Sequence, residues 1–132
     1  MIDKTLHRSL LFDTYGELLT ARQRSIFTLY YEDDLSLGEI AAQHGISRQA
    51  VYDMLKRAVH TLAELEDKLS LVSRDAKLRP VLSELHAKTT ELTACAGQMP
   101  ELVRDVLLAY LGDLQAGLSI ITETLSEGTS HV

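Results

Sequence analysis

One short segment of this 132-residue chain, from Ser36 to Arg57, allows few conformations other than two helices joined by a tight turn. Ser36 and Glu39 have the Ser-x-x-Glu spacing of a capping box, which predicts the start of a helix. Gly45 is typical of the left-handed residue that ends such a helix, and Ser47 predicts the N-terminus of the next one. The segment therefore predicts a helix-turn-helix.

The small and apolar residues of this segment occupy the positions that a helix-turn-helix must fill. The motif needs a small residue where the helices cross, a residue that tolerates positive φ in the turn, an apolar residue inside the turn, and another on the second helix. These four requirements are met, in that order, by Ala41, Gly45, Ile46 and Val51. Because all four agree in one register, the motif is more specific than any single residue.

The same register turns a set of mostly polar side chains outward near the start of the second helix. They are Ser47, Arg48, Gln49, Tyr52, Asp53, Lys56 and Arg57. In a DNA recognition helix this region meets base edges, where Arg pairs with guanine and Gln with adenine. Three bases against one acid give a local charge of +2 in a chain of net charge −6. We expect nucleic-acid binding that is weak in a monomer and stronger in a dimer. A protein contact through this face, or a solvated surface with no ligand, are the alternatives.

Helical periodicity in the rest of the chain predicts an all-α fold. Apolar residues spaced alternately by four and three run from Val51 to Ala76, which indicates a long second helix. Pro80 predicts a break or kink between Ser73 and Pro80, since proline disrupts a helix interior. The predicted regions are a helix-turn-helix domain at 1–70, a helical dimerisation region at 71–126, and a tail at 127–132.

The last helix, predicted from Glu101 to Leu125 after the boundary at Gly97 and Pro100, has a second stripe with the same spacing. Such a stripe forms the seam of a helical bundle or a coiled coil. We assign it to self-association, either within the chain or across a homodimer. Its members are Leu107, Leu111, Leu114, Leu118, Ile121 and Leu125.

The other reactive residues form no catalytic or metal-binding pattern. The five histidines and Cys95 lack the spacing of metal ligands, and neither a Walker loop nor a dinucleotide fingerprint occurs. We therefore expect a protein that is not an enzyme, without metal or cofactor. The sequence also lacks a secretory signal and a run of about 18 uninterrupted apolar residues, so we expect a cytoplasmic protein without a membrane span.

Several segments of the first half resemble known bacterial proteins. Leu19–Arg24, Leu35–Ala41 and Gly45–Val51 resemble the promoter-reading C-terminal region of sigma factors. The chain is more closely similar to the YlxM family of small helix-turn-helix proteins, and this resemblance covers the domain predicted at residues 1–70. It rests on the segments Leu11–Leu19, Leu29–Ser36 and Ser47–Asp53. From Ser73 to Leu125 we identify no counterpart in that family.

This resemblance implies a bacterial, cytoplasmic, all-helical and dimeric protein linked to the signal recognition particle pathway. The particle contains a small RNA, so the implied ligand is either a small structured RNA or DNA. The two ligands require different protein surfaces, because the deep major groove of A-form RNA does not admit a recognition helix. The alternatives are a transcription regulator that binds promoter DNA, and a protein-interaction module that contacts the particle GTPase or RNA polymerase without nucleic acid.

Overall fold

The structure is a computed structural model and describes residues 4–127. These residues form helices and no strand, which confirms the predicted all-α fold. Of the tail predicted at 127–132, Glu127 ends the last helix and residues 128–132 lie outside the described residues. The helices are α1 (Lys4–Tyr15), α2 (Ala21–Tyr31), α3 (Leu37–His44), α4 (Arg48–Leu69), α5 (Leu71–Ala96) and α6 (Glu101–Glu127), with a 3₁₀ turn at Gly16–Leu18.

The described chain divides into two compact units, residues 4–72 and residues 73–127. In the first unit, α4 packs against α1, α2 and α3. One apolar cluster joins α1, α2 and the second half of α4, and there Phe12 stacks on Phe27 with 4.2 Å between ring centroids. The other joins α2, α3 and the first half of α4 through the fully buried Ile26, Ile40 and Val51. Helix α4 is therefore common to both halves of the core.

A buried tyrosine organises the junction between α4 and α5. Tyr15 is 1% exposed, and its hydroxyl donates to Glu66 Oε2 at 2.6 Å while accepting from the Leu71 N–H at 3.0 Å. The same Glu66 oxygen accepts from the Val72 N–H at 3.1 Å. The first N–H groups of a helix have no partner within the helix. Tyr15 and Glu66 therefore cap the N-terminus of α5.

The break between the two long helices comes earlier than Pro80. Helix α4 ends at Leu69, Ser70 has a left-handed φ of 55°, and α5 continues through Pro80. The prediction of a break between Ser73 and Pro80 is therefore wrong. Pro80 removes only the hydrogen bond to the Ala76 carbonyl, and both residues are exposed, so water can solvate that carbonyl. Because Tyr15 and Glu66 cap the first N–H groups of α5, this helix begins at Leu71, before Pro80.

The second unit is an antiparallel pair of helices, formed by α5 from Ser73 onward and by α6. Two hydrogen bonds link early residues of α5 to late residues of α6: His86 Nε2 lies 3.2 Å from Thr122 Oγ1, and the Arg79 guanidinium donates to the Leu125 carbonyl at 3.5 Å. The residues buried in this unit are Leu82, Thr89, Ala96 and Leu111.

The predicted self-association stripe on α6 is divided between two environments. Leu111 is buried, and Leu107, Leu118 and Leu125 are half-buried. Leu114 and Ile121 are exposed, with 57% and 48% of their surface accessible. Most of the stripe is therefore covered within the chain itself.

Helix α6 is also the one helix in residues 4–127 that is long and apolar enough to cross a membrane, judged by length and composition alone. The sequence expectation of no span considered uninterrupted apolar runs, and α6 is interrupted by Arg104, Asp105 and Asp113. A single helix of this kind is weak evidence for a span, because amphipathic helices of bundles reach a similar composition.

Replacement of Tyr15 by Phe tests the junction between α4 and α5. The ring remains in the core, but the Leu71 N–H loses its acceptor and Glu66 loses a charge-assisted hydrogen bond. We expect the free energy of unfolding to fall by about 1–3 kcal/mol, measured by urea denaturation. Tyr52→Phe, which removes an exposed hydroxyl, is the control and should leave stability within about 0.5 kcal/mol of wild type. Equal stability of Tyr15→Phe and wild type would contradict this role.

Alkaline pH should weaken the same junction. Burial, and secondarily the hydrogen bond to Glu66, raise the pKa of Tyr15 above its ordinary value of 10.0. The folded state then holds this proton more tightly than the unfolded state, so the stabilisation is complete below pH 10 and is lost as pH rises through the raised pKa. We expect the stability of wild type above pH 10 to fall more steeply than that of Tyr15→Phe. Parallel pH profiles would contradict the prediction.

Candidate nucleic-acid interface

The turn between α3 and α4 is built from local hydrogen bonds. Ser36 Oγ accepts from the Glu39 N–H at 3.2 Å and Glu39 Oε2 accepts from the Ser36 N–H at 2.8 Å, which completes the capping box. These bonds from Ser36 stabilise the carboxylate and lower the pKa of Glu39. Gly45 has a left-handed φ of 63°, and Ser47 Oγ accepts from the Ala50 N–H at 3.0 Å. The predicted helix-turn-helix is confirmed.

The four residues predicted to shape the turn lie where the motif requires them. Val51 is fully buried and Ala41 is 7% exposed, while Ile46 is half-buried against the same cluster. A Cβ at Gly45 would meet no atom within 4 Å, so glycine is favoured here by the backbone conformation and not by lack of space.

The residues predicted to contact nucleic acid lie mostly on the open side of α4. Asp53 is half-buried and the other six are exposed. Arg48, Tyr52 and Lys56 are spaced by four residues and follow one strip of the helix, with Gln49 beside them. Arg57 is nine residues after Arg48, which is two and a half helical turns, so it lies half a turn around α4 from Arg48 and next to Asp53. The set therefore spans the exposed half of the helix, with Arg48 at one edge and Arg57 at the other.

The guanidinium of Arg48 rests against α3. A Cβ added to Gly38 would come within 3.1 Å of Arg48 Nε and 3.2 Å of Nη2. Gly38 is the second residue of α3, in its first turn, and glycine is a weaker helix former than alanine. The absence of a side chain at Gly38 leaves room for Arg48 at the edge of the motif. A glycine within a helical pattern was the only sequence signal of this close approach.

Gln49 and Asp53 form a pair one turn apart on α4. The Gln49 amide donates to Asp53 Oδ1 at 3.1 Å. This bond uses one of the two amide N–H groups and leaves the second N–H and the carbonyl oxygen available to a base edge. Asp53 therefore orients Gln49, but it also places a negative charge near the site that an anionic ligand would occupy.

A groove next to this strip was not predicted from the sequence. It has a volume of about 230 Å³ and combines tyrosine rings, aliphatic side chains and one ammonium group. Tyr52, which borders it, is 51% exposed. The spacing of Tyr52 and Lys56 was visible in the sequence, but the contribution of α2 depends on tertiary packing. The lining residues are Tyr30, Tyr31, Leu37, Tyr52, Leu55, Lys56 and Val59.

Two arginines of the first unit are already engaged by neighbouring side chains. The Arg8 guanidinium lies 3.9 Å from the centroid of the Tyr31 ring, a cation–π contact. Arg24 forms an ion pair with Glu17 at 3.0 Å, which reduces its availability to a phosphate. The free positive charge near α4 is therefore small. Among residues 4–127, no cluster of His, Cys, Asp or Glu is able to hold a metal ion.

Comparison with known proteins places the whole first unit, and part of the second, in one family. A model of the family described as "Putative helix-turn-helix protein, YlxM / p13 like" matches residues 2–102. A UPF0122 protein of Halalkalibacterium halodurans is 52% identical over 85 residues, which are 64% of this chain and 78% of that protein. UPF0122 proteins of Shouchella clausii and Listeria welshimeri are 51% and 44% identical, over 64% and 69% of this chain and over 78% and 83% of their own lengths.

The extent of these matches corrects one expectation from the sequence. The family match continues past Ser73 to residue 102, so α5 has a counterpart in the family and the part outside the match begins at residue 103. The matched region contains the capping box, the left-handed glycine and the outward face of α4. This chain therefore belongs to the UPF0122 family of YlxM/p13-like helix-turn-helix proteins, and most of α6 extends beyond the region that defines it.

Proposed function

We propose that this protein is a non-catalytic, cytoplasmic regulatory protein that binds nucleic acid through the first half of α4. The observation that carries the proposal is the strip of Arg48, Tyr52 and Lys56, with Gln49 beside it, on the open side of this helix. The buried Val51 and Leu55 lie beside this strip and fix the same turns of α4 in the core. The core therefore holds the exposed side chains in a defined orientation, as recognition requires.

Phosphate contacts would come from the N-terminus of α4 and its neighbouring cations. The first N–H groups of a helix point outward and favour an anion, and Ser47 adds a hydroxyl that is able to donate. Arg48 and Lys56 supply charge, while Asp53 subtracts from it. Since electrostatic affinity grows with the number of phosphates neutralised, one such surface should bind weakly and with a clear dependence on salt.

Replacement of Arg48 by Ala tests the assignment of this face. We expect weaker binding to structured RNA or duplex DNA, and a slope of log affinity against log salt that is smaller by about one phosphate contact. Fluorescence anisotropy at several salt concentrations measures both quantities. Unchanged affinity and slope would remove α4 from the interface.

Asp53→Asn is the matched control with the opposite expected sign. It removes one negative charge from the same face, while the amide oxygen still accepts a hydrogen bond from Gln49. We expect binding at low salt to become tighter, because repulsion of the phosphates is relieved. A face that does not touch nucleic acid would show no change in either variant.

The tyrosine-lined groove supports a ligand that contains an unpaired base. Bases that are free of a duplex stack on aromatic rings, and a neighbouring cation is placed to contact their phosphate. Tyr52 and Lys56 provide this combination at the border of the groove. Duplex DNA offers no free base face, so the groove favours a structured RNA with a loop or bulge over promoter DNA.

Replacement of Tyr52 by Ala separates these two ligands. Stacking of one base contributes about 1–3 kcal/mol, so we expect about tenfold weaker binding to a hairpin RNA with an unpaired loop and little change for duplex DNA. Tyr52→Phe keeps the ring and should retain RNA affinity. An equal loss for both ligands, or no loss for RNA, would contradict stacking in the groove.

The family resemblance extends the proposal to a regulatory role in the signal recognition particle pathway, whose RNA is a ligand of the required kind. The deciding experiment is a titration of the purified protein against duplex DNA, a structured small RNA and the particle GTPase. Tightest binding to RNA supports the proposal. Tightest binding to duplex DNA supports a transcription regulator, and binding to the GTPase without nucleic acid supports a protein-interaction module.

A further inference from the structure

Helix α6 has a second apolar stripe beside the one that packs against α5. Val103, Val106, Tyr110, Leu114 and Ile121 repeat at spacings of three, four or seven residues. Their exposed fractions lie between 48% for Ile121 and 67% for Tyr110. A regular row of exposed apolar side chains is the pattern of a helix that contacts another helix.

Helix α5 has an equivalent exposed stripe. It consists of Leu78, Val81, Leu85 and Leu92, with exposed fractions between 43% and 52%. The single charged residue within this stripe is Lys88, which forms an ion pair with Glu84 at 2.9 Å.

Both stripes lie on the same side of the hairpin. Leu85 follows the buried Leu82 by three residues, and Leu114 follows the buried Leu111 by three residues. Three residues along a helix correspond to a rotation of about 300°, which is about 60° short of a full turn. Each stripe is therefore rotated by the same angle, and in the same sense along its own chain, from the buried line of its helix. Because the two helices are antiparallel and face each other, both stripes then lie on the same face of the hairpin. The second unit therefore presents one continuous apolar surface, which we call the hairpin face.

The hairpin face is too large for a stable isolated surface. Its nine side chains expose roughly 100 Å² each, on the order of 900 Å² in all, whereas a monomer seldom exposes more than a few hundred square ångströms of contiguous apolar surface. A specific interface buries about 800 Å² on each partner. The internal core of this unit contains only four buried residues. The large exposed apolar area and the small buried core of this unit both indicate that another layer of helices covers the face.

We propose that the hairpin face packs on the hairpin face of a second copy of this chain, forming a four-helix bundle. A twofold axis parallel to the helices places each α5 against the partner's α6. The charges fit this pairing, because α5 within this unit has four bases against three acids. Helix α6 has the single base Arg104 and the acids Glu101, Asp105, Asp113, Glu123 and Glu127.

The α5 part of the hairpin face lies within the family match and the α6 part lies beyond it, and the dimer is independent of nucleic-acid binding. All five exposed residues of the α6 stripe lie at or after residue 103, outside the matched residues 2–102. They differ from the α6 residues that already pack against α5 within the chain.

The mass of the full chain in solution tests the dimer. Light scattering and sedimentation equilibrium should give twice the 14.7 kDa of one chain for wild type. Leu114→Asp places a charge in the centre of the face and should halve this mass. Leu108→Asp is the control, because Leu108 is 37% exposed and lies about a third of a turn away around α6, beyond the seam. It should remain dimeric.

Cys95 provides a second measurement at the border of the face. It is exposed in the single chain and follows Leu92 by three residues. In the dimer its reaction with a thiol reagent should be several-fold slower than in Leu114→Asp. Circular dichroism verifies that each variant keeps its helices, and Ile121→Asp replaces Leu114→Asp if the latter unfolds.

Three results would overturn the proposal. A wild-type mass of one chain at all concentrations excludes the dimer, and a dimer that survives in both Leu114→Asp and Ile121→Asp assigns it to another surface. A single-chain mass together with co-sedimentation on phosphatidylcholine–phosphatidylglycerol vesicles assigns the face to lipid. Halved mass and faster Cys95 labelling in the face variants, with an unchanged control, support it.

Discussion

The hydrogen bond between the buried Tyr15 hydroxyl and Glu66 links α1 to the junction of α4 and α5, which lies far from α1 in the sequence. It joins α1 to the last turns of α4, across 51 residues, and the same hydroxyl accepts the first N–H of α5. Because α4 belongs to both apolar clusters of the first unit, a shift of its C-terminal end would disturb the packing of α1, α2 and α3 together. The contact at the C-terminal end of α4 and the apolar cluster at its N-terminal end thus hold the same helix.

The outward face itself reflects a compromise between rigidity and charge. Asp53 orients the Gln49 amide at the cost of a negative charge, and Gly38 leaves space for Arg48 at the cost of helix propensity. Both arrangements position polar groups on the open surface of the motif. The core does not require either of them, since the buried Val51 and Leu55 already fix this part of α4. For this reason we interpret the outward face of α4 as a binding surface and not merely as a solvated surface.

The parts of the structure that were predictable from the sequence are those determined by short-range signals. The capping box at Ser36, the left-handed Gly45 and the N-cap Ser47 each act within a few residues, and the helix-turn-helix follows from them. The start of α5 at Leu71 is capped by the distant Tyr15, a contact that short-range signals do not reveal, and the boundary predicted at Pro80 was wrong. The groove required α2 to lie beside α4. On α6, two adjacent apolar stripes overlap in the sequence, and only packing against α5 distinguishes the covered residues from the exposed Leu114 and Ile121.

The proposed dimer would resolve the conflict between an acidic chain and a nucleic-acid ligand. In one copy, residues 47–57 have three bases and one acid, a local charge of +2 within a chain whose net charge is −6. Two copies joined through the second unit would double the number of phosphate contacts without any change in the first unit. Once one copy is bound, the second binds at a high effective concentration, and avidity then exceeds the affinity of either face. An apolar helix that extends beyond the family match is therefore consistent with a thinly charged recognition face.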